Sequence, residues 1–132
     1  MIYTYKNSDA FDVLIGEDSL LETVITSISI AEKDYQTVIR LEIQMRPNSQ
    51  FKTISLIFQD VSEYCFYWEK NYSFGDVSEY KLLKGRDEYY LSLDPDESST
   101  EETQEDQDFI RAQYMKIEAV KRPISGIPKD AS

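Results

Sequence analysis

Carboxylates are the chemistry-bearing groups most concentrated in this chain. From Asp87 to Asp108 there are ten acids and no base. Counting from Asp94, oxygen-bearing side chains fall at Asp94, Asp96, Ser98, Glu102 and Glu105. Those are positions one, three, five, nine and twelve of an EF-hand loop, whose oxygen ligands suit calcium. Position six is Ser99, where the sharp turn of that loop needs glycine, and no helices are predicted on either side. The spacing is read as a consequence of acid density, which leaves at most weak, nonspecific divalent binding. No metal or other cofactor is expected.

Other reaction classes find less support. A carboxylate pair for glycoside hydrolysis needs two acids facing each other across a cleft, and the acids here read as solvated charge. The chain has no histidine, which excludes His-based triads and the usual zinc sites and removes the commonest general base. Its four glycines are isolated, so no phosphate cradle is present. Its one cysteine, Cys65, can form no internal disulfide and, set among aromatics, reads as a small buried hydrophobe. The sequence therefore points to a protein that is not an enzyme.

The net charge is −11, from 25 acids and 14 bases. Such a surface repels nucleic-acid phosphates and anionic lipids and attracts a basic protein; solubility alone is the competing explanation of the charge. Aromatic residues make up 13%, with ten tyrosines. Tyr64, Tyr67, Trp68, Tyr72, Tyr89 and Tyr90 either anchor an interface or fill a core and its cross-strand pairs. The candidate contacts for a basic partner are Asp94, Asp96, Glu97, Glu101, Glu102, Glu105, Asp106 and Asp108, with Tyr67 and Tyr72 as anchors.

These groups must be carried by strands. Ile39, Leu41, Ile43 and Met45 alternate with Arg40, Glu42 and Gln44, the pattern of a strand with one wet face. Pro47-Asn48-Ser49 supplies a turn, and Ile54, Leu56 and Phe58 resume the alternation, so the two runs predict a hairpin. Val24 to Ile30 reads as a further strand, and Ser19-x-x-Glu22 before it as a capping box for a short helix. Val61 to Trp68 fits a strand face or a helical stripe; its aromatic content favours strand. Phe58-Gln59-Asp60-Val61-Ser62-Glu63-Tyr64 is echoed by Phe74-Gly75-Asp76-Val77-Ser78-Glu79-Tyr80, either as two equivalent strand starts or by chance. Tyr80 to Leu83 and Tyr89 to Leu93 flank Gly85 as another hairpin, and Asp94-Pro95 ends it.

Glu97 to Gln107 has no apolar residue, so 94–108 reads as a long, exposed and mobile acidic loop. Ile110 to Val120 is the last strand, with Met115, Ile117 and Ala119 on one face. The expected fold is mainly β (or α+β): an antiparallel meander, sandwich or partly open barrel of about six to seven strands with at most one or two short helices. It forms a single domain over 1–120, with a loose tail at 121–132. No signal peptide or membrane span is visible, so the expected location is cytoplasmic, with neither nucleic acid nor membrane as partner.

Val61-Ser62-Glu63-Tyr64, then Asn71-Tyr72-Ser73-Phe74, then Tyr90-Leu91-Ser92-Leu93-Asp94-Pro95, resembles small β-rich acidic bacterial proteins that are similar to immunity proteins of polymorphic or contact-dependent toxin systems. The resemblance spans roughly Phe51 to Val120 and carries over no functional residue. It implies a cytoplasmic inhibitor that neutralises a basic effector, such as a nuclease toxin, through an acidic surface. The alternative is a non-catalytic structural or accessory module that assembles into a larger protein complex.

Overall fold

The computed structural model describes residues 2–67, 69–70 and 75–123. Eight strands and one helix follow in the order β1 (Ile2–Lys6), α1 (Ser8–Leu14), β2 (Thr23–Lys33), β3 (Gln36–Gln44), β4 (Phe51–Cys65), β5 (Asp76–Val77), β6 (Lys81–Lys84), β7 (Tyr89–Asp94) and β8 (Gln107–Lys121). The strands form one antiparallel half-barrel sheet in the order β5-β2-β3-β4-β8-β7-β6. β1 joins beside β8. The mainly β, antiparallel fold expected from the alternating runs is therefore the observed one.

β8 is the strand on which the sheet depends. One of its edges is filled by β4 over most of its length. The other edge is shared: β7 pairs with its first part, through Tyr89↔Ala112 to Asp94↔Gln107, and β1 with its last, through Lys6↔Lys116 to Ile2↔Val120. Asn7 marks the join, donating its amide to the Met115 carbonyl at 2.7 Å.

Period-two alternation sorts the side chains. Ile39, Leu41, Ile43, Ile54, Leu56, Phe58, Met115, Ile117 and Ala119 are all buried. Burying one Leu or Ile side chain contributes about 1.5–3 kcal/mol, so this inner face supplies most of the drive to fold. On the outer face Arg40 donates to Glu42 at 2.5 Å and to Ser55 at 3.1 Å, and reaches Glu118 at 3.4 Å, linking β3, β4 and β8.

The inward parity of β4 changes from even residues to Val61 at Asp60, which has φ 53°. β8 changes at the matching place, between Met115 and Ala112. Beyond Ile39↔Phe58 no further residue of β4 pairs with β3. Among the described residues, Tyr64 and Cys65 therefore lie at the end of a strand with only β8 beside it, and Cys65 is exposed. The expectation of a buried cysteine is corrected: flanking aromatics do not bury a residue where the sheet has lost a neighbour.

Two local expectations also change. No helix begins at Ser19. The segment is instead a loop held by Arg46, whose guanidinium donates to the carbonyls of Glu17, Ser19 and Leu21. Thr23 Oγ1 donates to the Leu20 carbonyl at 2.7 Å. The helix that does form, α1, lies upstream and packs Ala10 and Leu14, both fully buried, into the core cluster. The two copies of the internal echo are not equivalent: the first lies inside β4, and among the described residues of the second only Asp76–Val77 is strand. The segment expected as strand from Val61 is strand as far as Cys65; Trp68 lies outside the described residues, as does most of the expected tail.

Candidate acidic binding face

The 94–108 segment connects β7 to β8, neighbours in the sheet, so its two ends are fixed close together. Its centre is Asp106, whose side chain is completely buried. Oδ1 accepts from Lys81 Nζ at 2.9 Å and from the Asp96 amide at 2.8 Å. Oδ2 accepts from the Tyr90 hydroxyl at 2.9 Å and from the Thr103 amide at 3.0 Å. Burial opposes ionisation of this carboxyl, but the Asp96 amide, the Lys81 ammonium, the Thr103 amide and the Tyr90 hydroxyl outweigh it and hold its pKa at about 2. Lys81 Nζ also donates to the Glu101 carbonyl at 2.6 Å. Burial, the bond to Asp106 and the charge of Asp106 all push the Tyr90 hydroxyl up, so it stays a donor.

Asp96 fastens the other half of the segment. It accepts from the Ser98 hydroxyl at 2.7 Å and amide at 3.0 Å, and from the Thr103 hydroxyl at 3.0 Å. Those bonds, the Ser98 hydroxyl first, hold its carboxyl below the usual range. The exposed, mobile loop expected from composition is exposed over most of its length, and its apolar-free sequence is tied together by two carboxylates that bond its own backbone and side chains. Asp106 and Asp108 are buried, which withdraws them from the set of accessible contacts. Asp108 instead accepts the Tyr67 amide at 2.8 Å.

A second cation faces the segment from β8. Arg111 donates to Glu88 Oε2 at 2.6 Å and to both oxygens of Glu102, reaches Glu63 at 3.4 Å, and lies 5.2 Å from the centre of the Tyr90 ring. The bond to Glu102 is the main cause that raises its pKa and lowers that of Glu102. Tyr90 in turn stacks on Phe109, ring centres 5.8 Å apart. Arg111, Glu102, Glu63, Tyr90 and Phe109 line a depression of about 440 Å³.

Among the described residues, Asp94, Glu97, Glu101 and Glu105 form no ion pair. Glu79, just before β6, lies beside Glu97, whose closeness, with burial and the charge of Asp94, raises the pKa of Glu79. Glu79 and Glu97 border a groove of about 450 Å³ that Tyr80, Leu83 and Pro95 also line.

Of the residues expected to meet a partner, Asp94, Glu97, Glu101 and Glu105 share one exposed stretch, Asp96 and Glu102 are tied into it, and Asp106 and Asp108 hold it from below. Tyr67 is half exposed with its hydroxyl on Glu69; Tyr72 lies outside the described residues. Tyr89 and Tyr90 are core residues. Sequence reasoning missed Glu79, Lys81, Glu88 and Arg111. The usable signal was that Lys81 and Arg111 are bases on strands flanking an acidic run, one of them paired with Tyr90 across β7 and β8.

Comparison with protein-family models, curated proteins and solved structures gives no match for this chain. No helix among the described residues is long and apolar enough to cross a membrane, and no cluster among them has the ligands for a metal ion.

Proposed function

We propose that the protein is a non-catalytic binding protein whose 94–108 face docks a basic protein. One observation carries this reading. Glu79 and Glu97 line one groove, the closeness of Glu97, with burial and the charge of Asp94, raises the pKa of Glu79, and among the described residues no cation is paired with either. Like charges held together by a fixed scaffold favour an incoming cation. The groove beside them has apolar groups from Tyr80, Leu83 and Pro95 along an acidic rim. That shape and polarity suit a lysine or arginine side chain, whose stem lies on the apolar part while its charge meets the carboxylates.

A pre-ordered loop supports the reading further, because little conformational entropy is then lost on docking. Charge complementarity speeds association with a basic surface. An immunity-type inhibitor that covers the phosphate-binding surface of a nuclease effector in the cytoplasm is the specific form that the family resemblance implies.

The test is capture from a lysate of the source cells with the tagged protein at low and high salt, beside a Glu79→Gln/Glu97→Gln/Glu101→Gln/Glu105→Gln variant. This set spares Asp96, Glu102 and Asp106, so the loop scaffold stays intact. The expected result is a stoichiometric basic protein that is released by salt and not held by the variant. A partner indifferent to both changes, or no basic partner, overturns the reading.

A further inference from the structure

The other end of the sheet carries a different surface. β5 pairs with β2 only at Thr23 and Val24, and the Ile25 amide makes one more bond, to the Gly75 carbonyl at 2.7 Å. From Thr26 to Lys33, no strand among the described residues pairs with the outer edge of β2. Ile30 is 43% exposed and Ile28 is partly buried against the core cluster.

The direction of the backbone groups follows from the hairpin turn. Asp34 and Tyr35 have φ of 52° and 65°, and they are the two loop residues between Lys33 and Gln36, which is a type I′ turn. Such a turn makes Lys33 and Gln36 a hydrogen-bonded pair, and alternation then turns the N–H and C=O of Ile28, Ile30 and Glu32 away from β3. The outward amide of Ile25 agrees, because the bulge between Ile25 and Ser27 shifts the parity by one. An edge whose outward groups meet no strand among the described residues is a template for another strand.

We propose that this edge binds a second copy of the chain, β2 against β2, in an antiparallel two-fold pair centred on Ser29. In Thr26-Ser27-Ile28-Ser29-Ile30-Ala31-Glu32, Ile28 and Ile30 stand symmetrically about that residue, with the small residues Ser27 and Ala31 outside them. The register sets Ile28 against Ile30 of the second copy, and Ile30 against its Ile28, all on the core-facing side. Ser27 meets Ala31 on the other side, and Thr26 meets Glu32. Apolar residues face apolar ones and small residues face small ones, the cross-strand matching that stabilises a sheet, and the same patch serves both partners, as a two-fold interface requires.

Charge favours the same occupant. The chain carries −11, yet β2 holds one acid and one base, Glu32 and Lys33. Two copies therefore meet here without the repulsion that the acidic loop would impose. That loop lies at β7 and β8, beyond β3 and β4 from this edge, and stays free in the pair.

The test combines solution mass and crosslinking on the full chain. Light scattering over a concentration series should give the mass of a dimer. Ile30→Pro should remove it, because proline takes away an outward N–H and is tolerated on an edge strand. Ile30→Lys, which keeps the backbone and charges the apolar contact, should do the same, with circular dichroism showing the fold retained. In the two-fold register Ser29 faces itself in a non-hydrogen-bonded pair, with Cα atoms about 4.5 Å apart, within the span of a disulfide. A Ser29→Cys/Cys65→Ser variant should therefore crosslink into dimers on mild oxidation. A monomer at every concentration overturns the proposal, as does a dimer that survives both Ile30 variants or fails to crosslink at position 29.

Discussion

Asp106 Oδ1 stands 2.9 Å from Lys81 Nζ, and both side chains are almost fully withdrawn from water. The relationship joins a loop carboxylate to the strand β6, at the edge of the sheet. It converts a run without apolar residues into a fixed surface. Asp106→Ala would leave the Lys81 ammonium buried without its partner, and would orphan the Tyr90 hydroxyl and the amides of Asp96 and Thr103. The expected loss is about 3–5 kcal/mol, the cost of breaking a buried ion pair, read from urea unfolding. The double variant Asp106→Asn/Lys81→Met should recover part of it, since no charge is then left buried. A loss below about 1 kcal/mol for Asp106→Ala, the size of one ordinary hydrogen bond, would show that the pair does not anchor the segment.

The same carboxyl gives the pH dependence its sign. Its pKa in the fold is about 2, against an ordinary 3.8. A depressed carboxyl binds its proton more readily in the unfolded chain, so acid favours unfolding. Its contribution is complete above about pH 4 and disappears as the pH falls through about 2, a change of about 2 kcal/mol for this group. Asp18, Glu42, Asp96 and Glu102 are shifted in the same direction, so the total acid sensitivity is larger. Unfolding free energies measured from pH 7 down to pH 2.5 should fall at the acid end. Asp106→Asn should flatten that fall, and a slope unchanged by the substitution would remove Asp106 as its source.

What the sequence made legible follows from which interactions are local. The alternation of Ile39, Leu41 and Ile43 with Arg40, Glu42 and Gln44 survives intact because a strand buried on one face reports its own period. The ties within the acidic segment were not legible because they come from long-range partners: Lys81 and Tyr90 reach Asp106 from 25 and 16 residues away. Composition sees charge without hydrophobes; it does not see a carboxylate being solvated by backbone amides. Helix α1 was missed because it is seven residues long, too short for a period to register, and it is held by packing of Ala10 and Leu14.

Arg111 should not be replaceable by lysine. Its guanidinium forks onto Glu102 while also meeting Glu88 and lying over Tyr90. A lysine ammonium offers charge without the planar fork or the stacking surface. Arg111→Lys is expected to cost about 1–3 kcal/mol, the range of hydrogen bonds to charged groups and of one desolvated cation–π contact, with the Glu102 region of the loop losing amide exchange protection. Glu105→Gln serves as the control, since Glu105 forms no ion pair among the described residues, and should lie within about 0.5 kcal/mol of the parent protein.

Asn7 tests how β1 and β7 share one edge of β8. Its backbone lies at φ 51° and ψ −117°, a region that glycine adopts freely and other residues adopt only under strain. Its side chain offsets this by accepting the Met115 amide at 3.2 Å, while its own amide reaches the Met115 carbonyl. Asn7→Ala keeps the strain and deletes the acceptor; Asn7→Gly deletes the acceptor and releases the strain. Asn7→Ala should therefore be the more destabilising by about 1–3 kcal/mol, the usual cost of a strained backbone position, in paired thermal or urea unfolding. Equal losses would mean that the Met115 bond matters and the backbone conformation does not. A larger loss for Asn7→Gly would mean that chain freedom in the unfolded state outweighs both, and that β1 is held to β8 without any constraint at the join.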